Sequence, residues 1–272
     1  MSTLRTVALT KSFGALAVTQ AITAAFEPGV RSAIIGPNGA GKTTFFNLLA
    51  GTLRPDSGSV LLGDRDVTRL DMAARARAGI ARSYQRNNLF LDMTVRESLA
   101  LACALQAGEE RIFWRPMTTL RGSHARADAL ADRIGLTESL GVLVRHLSYG
   151  SQRQLEIGLA LSLAPSVLLL DEPTSGMSPE ETGLMHRLIT ALPRALTVVV
   201  IEHDMDIVLD FADHIIVLDY GRVLAQGSPQ EIRASAIVRQ RYLGDGDAPA
   251  KVEREAGAPA HASGQARPAG AA

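Results

Sequence analysis

Between Gly36 and Thr44 the chain reads GPNGAGKTT. Glycines at 36, 39 and 41 let a main chain curl until successive N–H groups converge on one anion. Lys42 adds a positive charge, and Thr43 adds a hydroxyl of the kind that ligates a divalent cation. Gly36, Gly41, Lys42 and Thr43 satisfy the spacing G-x-x-x-x-G-K-S/T; Pro37, Asn38, Gly39 and Ala40 form the turn, and Thr44 enters the next element. The chemistry of such a set is phosphate binding. Lys42 is placed to meet β- and γ-phosphates and Thr43 to meet Mg²⁺. A helix start at the end of the loop adds about half a positive charge.

A second set lies far downstream. SVLLLDEP carries an apolar run that ends in Asp171 and Glu172. Acids at the carboxyl end of a buried parallel strand stand where such sheets bind ligands. Asp171 is therefore expected to help hold Mg²⁺. Adjacent strand residues point to opposite sides, so Glu172 is free for another partner, such as an attacking water. TVVVIEHD repeats the design and ends in His203. Two roles are open to that imidazole: a hydrogen bond to a γ-phosphate oxygen, or a surface ion pair with Glu202 or Asp204.

The stretch LSYGSQRQLEIGLAL, from Leu147 to Leu161, holds no acidic cluster and no nucleophile with a base. It reads as a helix with a weak start of small residues. Ser148 fits a helix cap, and helix N-termini attract anions. Nothing near it in the sequence requires an anion site.

The phosphate loop needs a strand before it and a helix after it. VRSAIIG is a continuous apolar strand, and GKTTFFNLLAG is a helix with Gly51 as its stop. RTVALT, AITAAFEPG and GSVLLGDRDV read as short strands separated by turn residues. From about Asn88 the pattern becomes helical, with TVRESLALACALQAG and SHARADALADRIGL amphipathic. From Ser166 buried strands alternate with helices again. That order predicts an α/β core with a parallel sheet covered on both faces, interrupted by a helical block.

Composition fits a globular chain of 272 residues, 46% of them hydrophobic. Lys+Arg and Asp+Glu both number 28, so no global field favours nucleic acid. A single cysteine, Cys103, excludes an internal disulfide and fits a reducing compartment. The start MSTLRTVALTKSFG lacks the apolar core of a signal peptide, and no apolar run is long enough to span a bilayer. Residues 245–272 are rich in Ala, Gly and Pro and read as a disordered tail.

GPNGAGKTT, LSYGSQ, VLLLDEP and EHD stand in the order seen in ATP-binding cassette ATPases, the motor subunits of ABC transporters, and from Leu4 to Gly244 the chain resembles that family. The resemblance implies a P-loop NTPase core of the RecA-like kind. An N-terminal antiparallel β subdomain and a helical subdomain inserted at about 88–155 would complete a domain spanning 4–244. It implies ATP and Mg²⁺ as cofactors, with Glu172 polarising water and His203 positioning the γ-phosphate. Phe13 in KSFG looks like the aromatic that stacks on adenine, the alternative being a core phenylalanine. Gln85 in ARSYQRNN looks like the glutamine that links the γ-phosphate and Mg²⁺ to the helical subdomain. LSYGSQ stands for the signature, usually Leu-Ser-Gly-Gly-Gln. Ser148 and Gly150 are retained, and these are the residues expected to touch the γ-phosphate held by a second ATPase subunit. Tyr149 and Ser151 depart from that pattern. Ser178 stands where the family often has Asp.

QRQLEIGLAL, GMSPEET, VIEHDMDIVLDFAD and VRQRYLG are similar to the ATPases of branched-chain amino acid, amide and urea importers; the lipopolysaccharide-export ATPase shares much of this pattern. The implied partners are a second ATPase subunit, identical or not, two transmembrane permease subunits and, indirectly, a solute-binding protein. The implied location is peripheral, on the cytoplasmic face of the inner membrane. A soluble cassette acting on ribosomes or DNA would usually carry two cassettes or large insertions. A GTPase would carry Asn-Lys-x-Asp, which is absent, and a P-loop kinase would have no use for LSYGSQ with EHD.

Overall fold

The computed structural model describes residues 3–83, 89–108, 121–203 and 205–243. Gln85, Asp204, residues 109–120 and the tail lie outside them. Among the described residues the strands form two sheets. One is antiparallel, in the order β2 (Leu16–Phe26), β1 (Leu4–Phe13), β4 (Ser57–Leu62), β5 (Arg65–Asp66). The other has the order β10 (Arg222–Gly227), β9 (His214–Asp219), β3 (Arg31–Ile35), β8 (Thr197–Ile201), β7 (Val167–Asp171), β6 (Ile80–Arg82). Its members are parallel except β10, which folds back on β9 as a hairpin.

β3, β7 and β8 are buried at every position. Their continuous apolar runs follow from having both faces covered. Alternate residues serve separate cores. Ile34, Leu169 and Val199 face the layer between the sheets, with Phe26, Phe45 and Val60. Ala33, Leu168, Leu170 and Val200 face the helical side. There lie α3 (Val95–Gln106), α4 (Arg121–Arg133), α5 (Tyr149–Leu161), α6 (Pro179–Ala191) and α7 (Met205–Phe211). α3 opens with a Thr94–Glu97 capping box. Gly158 lets α5 approach the end of α4, because a Cβ there would meet Ile134 Cδ1 at 2.6 Å.

α1 (Lys42–Ala50) begins at Gly41 and stops at Gly51, both in the left-handed region. A helix that sequence periodicity did not reveal, α2 (Met72–Ala78), follows β5. Its run of Ala and Arg has no apolar stripe. Asp71 caps it by accepting from Ala74 N at 2.8 Å. Its anchor is Arg75, which has no exposed surface. Arg75 donates to the carbonyls of Leu48 and Leu49 in the last turn of α1, and to those of Val67, Thr68 and Leu70. One guanidinium thus satisfies helix-end carbonyls that have no intrahelical donor. Burial pulls its pKa down to about 10, so it stays charged at neutral pH.

Replacing Arg75 by Met keeps volume but takes the guanidinium donor from the carbonyls of Leu48, Leu49, Thr68 and Leu70, while that of Val67 keeps Leu70 N. Each buried orphan costs about 1–3 kcal/mol where water cannot reach it. The expected loss of stability is about 3 kcal/mol or more, read from urea unfolding. An unchanged unfolding midpoint would refute the anchoring role.

Candidate nucleotide-binding site

The loop between β3 and α1 is fixed by two close approaches. Gly36 has φ 149°, and a Cβ there would lie 2.1 Å from the Leu218 carbonyl. Gly41 has φ 94°, and its Cβ would lie 2.5 Å from the Val18 carbonyl. Only glycine fits either position. Gly221 N donates to the Ala40 carbonyl at 3.0 Å, tying the turn after β9 to the loop. Asn38 and Gly39 are exposed at the tip, and Pro37 is half-buried. Lys42 is buried and donates to the carbonyls of Gly36 at 2.6 Å and Pro37 at 3.1 Å. Burial lowers its pKa, and the nearby Glu172 carboxylate opposes that. Thr43 is exposed on the first turn of α1, and Thr44 is partly buried behind it. No side chain caps this helix start, which leaves its amides to an anion.

β8 lies between β3 and β7 in register, so the carboxyl ends of all three strands stand side by side. Asp171 ends β7 and is 1% exposed. Its Oδ2 pairs with Arg82 Nη2 at 2.7 Å, while Oδ1 is buried with no hydrogen-bond partner among the described residues. Burial raises the Asp171 pKa, and Arg82 works against that. Arg82 also donates to Asn47 Oδ1 at 2.6 Å and lies 5.2 Å from the Phe46 ring centre. A buried carboxylate oxygen without a donor, with the threonine hydroxyl that opens α1, is an all-oxygen set that fits Mg²⁺.

Glu172 leaves the strand with φ 45°, a left-handed conformation that costs a non-glycine residue about 1–2 kcal/mol. Its N–H donates to the Ile201 carbonyl at 3.0 Å. Its own carbonyl accepts from Arg153 Nη2 at 3.0 Å and from Ser175 N at 3.2 Å. The strained turn is thus held from β8 and from α5.

At the end of β8 the two neighbours divide. Glu202 turns inward, 1% exposed, and accepts from Thr174 Oγ1 at 2.7 Å. Burial raises its pKa, and the Thr174 hydrogen bonds oppose the rise. The His203 side chain is 60% exposed, and Nδ1 stands 3.9 Å from Glu202 Oε2, beyond hydrogen-bond length. The imidazole therefore projects from the strand end. Phe13, where β1 turns into β2, is 50% exposed with Lys11 Nζ 5.8 Å from its ring centre. It is not a core residue, and its ring is accessible.

Ser148 caps α5, accepting from Ser151 N at 3.2 Å. Ser178 caps α6 in a capping box with Glu181. The same Glu181 carboxylate reaches the corner of α5: Oε1 accepts from Ser148 Oγ at 3.0 Å and from Gly150 N at 3.0 Å. The corner therefore has an anion from its own chain, where the sequence shows no local need for one. Tyr149 lies 6.0 Å from the Arg153 guanidinium, and its ring would stand 3.6 Å from a Cβ on Gly176.

Residues 19–175 match the ABC transporter family. The branched-chain amino acid transport ATP-binding protein LivG of Escherichia coli K12 is 37% identical over 241 residues, 86% of this chain and 94% of that one. BraF of Pseudomonas aeruginosa, which carries the same description, is 36% identical over 87% of this chain and 96% of its own. The lipopolysaccharide export protein LptB of Acidithiobacillus ferridurans is 35% identical, covering 89% and 97%. The solved structure of MJ1267, an ATP-binding cassette of an ABC transporter in its ADP conformation, superposes with a TM-score of 0.77 at 27% identity, covering 90% of this chain and all of that one.

The chain belongs to the ABC transporter family. It is an ATPase subunit of that family, with the P-loop NTPase architecture expected of one.

In this ATPase subunit the structure brings Lys42, Asp171 and Glu172 to one sheet end and sets Ser148 and Gly150 against the start of α6 instead. Arg82, Arg153 and Glu181 are partners that motif reading missed. Arg82 had no signal beyond one basic residue in GIARS. Glu181 had one, since Ser178 and Glu181 stand at capping-box spacing.

Removing Arg82 leaves Asp171 buried without its counter-charge, so its pKa rises further above the unfolded value of about 3.9. Stability is then lost as pH climbs above that unfolded value, because only the ionised form lacks its partner. Arg82→Ala is expected to cost about 3–5 kcal/mol at pH 7 and clearly less near pH 4.5. Urea unfolding of mutant and parent at both pH values checks this; a pH-independent difference would refute it.

Proposed function

We propose that this ATPase subunit hydrolyses MgATP to drive solute import across the cytoplasmic membrane, the solute being a branched-chain amino acid or a related amide or urea. The observation that carries the solute class is the likeness to LivG and BraF along nearly their whole length. Residues 4–244 act as one ATP-binding unit, with 88–155 as the inserted helical part and 245–272 as a tail. Its partners are a second ABC ATPase subunit, two permease subunits and a solute-binding protein acting through them. Among the described residues no helix is long and apolar enough to cross a membrane. The likeness to LivG supports a place at the cytoplasmic face, held by the permeases.

Each residue then has a distinct role. The amides of Gly36 to Thr44 and the Lys42 ammonium hold the phosphates, and Phe13 stacks on adenine. Thr43, Asp171 and Gln85 would hold Mg²⁺, which would supply positive charge against the transferring phosphoryl group. Glu172 accepts a proton from the attacking water, and His203 donates a hydrogen bond to the γ-phosphate. Ser148 and Gly150 meet the γ-phosphate held by the other subunit, and Arg153 holds the main chain that carries Glu172.

A general base is worth about 10²–10⁴ in rate. Glu172→Gln is expected to lose hydrolysis by that factor while ATP still protects the chain against heat. Turnover at the parental rate would remove Glu172 from its role. For the solute, membrane vesicles with the chain, its permeases and the binding protein should take up labelled leucine only with ATP inside. The likeness to LptB supports a second reading, export of a lipid-linked glycan. Lipopolysaccharide extraction without leucine uptake would favour it.

A further inference from the structure

The Glu181 carboxylate bridges two helix starts. Oε2 accepts from Ser178 N at 3.1 Å and Ser178 Oγ at 3.2 Å, closing the box of α6. Oε1 takes Gly150 N and Ser148 Oγ at the start of α5. These hydrogen bonds hold its pKa below the usual range, so it is an anion at neutral pH. A Cβ on Gly150 would meet Oε1 at 2.7 Å, so the corner is shaped around this carboxylate.

Ser148 has one hydroxyl hydrogen to give. Its oxygen already accepts from Ser151 N, and its donor directions face Glu181 Oε1 at 3.0 Å and Ser151 Oγ at 3.3 Å. Gly150 has one N–H, and Glu181 has it. A phosphate oxygen arriving at this corner meets two occupied donors and a negative charge. Two adjacent anions cannot share them in a site that closes against water.

We propose that Glu181 is a positioning residue that holds the Ser148–Gly150 corner in place of a phosphate and gives it up when the partner subunit's ATP docks. The inference rests on the reading that Ser148 and Gly150 meet that ATP. Rotation of the side chain frees Oε1 while Ser178 still caps α6 through its own hydroxyl, so the exchange needs no unfolding of either helix. The cost of displacing the carboxylate raises the ATP concentration needed for association, and keeps the corner ordered until then.

The test uses the full chain carrying E172Q, so that ATP persists, with association followed by light scattering during ATP titration. Adding E181Q keeps a side chain that can close the capping box but removes its charge. The half-maximal ATP concentration should fall about five- to tenfold, the difference between a charge-assisted and a neutral pair of hydrogen bonds. E181A should shift it the same way despite the lost cap. With Glu172 intact, E181Q should lower KM for ATP by a similar factor and change kcat less than twofold, with a melting temperature only slightly lowered by loss of the charge-assisted hydrogen bonds. A half-point that stays put or rises overturns the exchange. S148A separates the two layers. If S148A weakens association and E181Q has no effect, the corner reading stands and the exchange falls. If S148A leaves association intact, or E172Q never associates with ATP, both fall.

Discussion

The alignment of β3, β8 and β7 governs the rest of the molecule. Three adjacent parallel strands end at one level because β8 pairs in register with both neighbours. Parallel pairing demands that both faces be covered, which explains the all-apolar runs and the two cores on either side. The phosphate loop, Asp171, Glu172, Glu202 and His203 all issue from those ends. Their mutual placement follows from backbone hydrogen bonds rather than from side-chain contacts among themselves. The Glu172 charge acts against ionisation of Asp171, so the rigid sheet is what holds the two acids together.

Concentrating charge in a buried place is costly, and each group meets the cost differently. Asp171 has Arg82 on one oxygen, and the other has no hydrogen-bond partner among the described residues. Glu202 has the Thr174 hydroxyl and amide. Lys42 has the Gly36 and Pro37 carbonyls. For all three, burial disfavours the charged form and moves the pKa in the direction of neutrality. Glu202 therefore serves the architecture, because it binds the loop after Glu172 to the strand that ends in His203. Arg75 solves the same problem for α1 and α2, with carbonyls in place of a counter-ion.

What could be read from the sequence, and what could not, follows from the range of the forces. GPNGAGKTT declared itself because its glycines answer to backbone geometry that no other residue satisfies, as the approaches at Leu218 and Val18 show. β7 and β8 declared themselves because a strand buried on both faces must be apolar throughout. The order of the motifs supplied the family. Long-range polar partners left no local pattern. Arg82 pairs with a residue 89 positions away, and Arg75 reaches 26 and 27 positions back. α2 escaped notice because one buried arginine, rather than an apolar stripe, ties it down. Phe13 could be read either way until its exposure was known.

Tyr149 shows how a departure from a family pattern acquires a physical reason. A glycine at that position would leave the Arg153 guanidinium without an aromatic face. Arg153 is buried, pairs with Glu156 at 2.9 Å, and donates to the carbonyl of Glu172. A cation so desolvated gains from every partner it can hold, the ring included. The chain from Tyr149 through Arg153 to Glu172 therefore joins the first turn of α5 to the strained residue at the end of β7. Glu181 joins the same turn to α6. The first turn of α5 is thus coupled, through two separate sets of contacts, to both sides of the loop that carries Glu172. The left-handed conformation of that residue is held by three sets of contacts at once, from β8, from α5 and from its own loop.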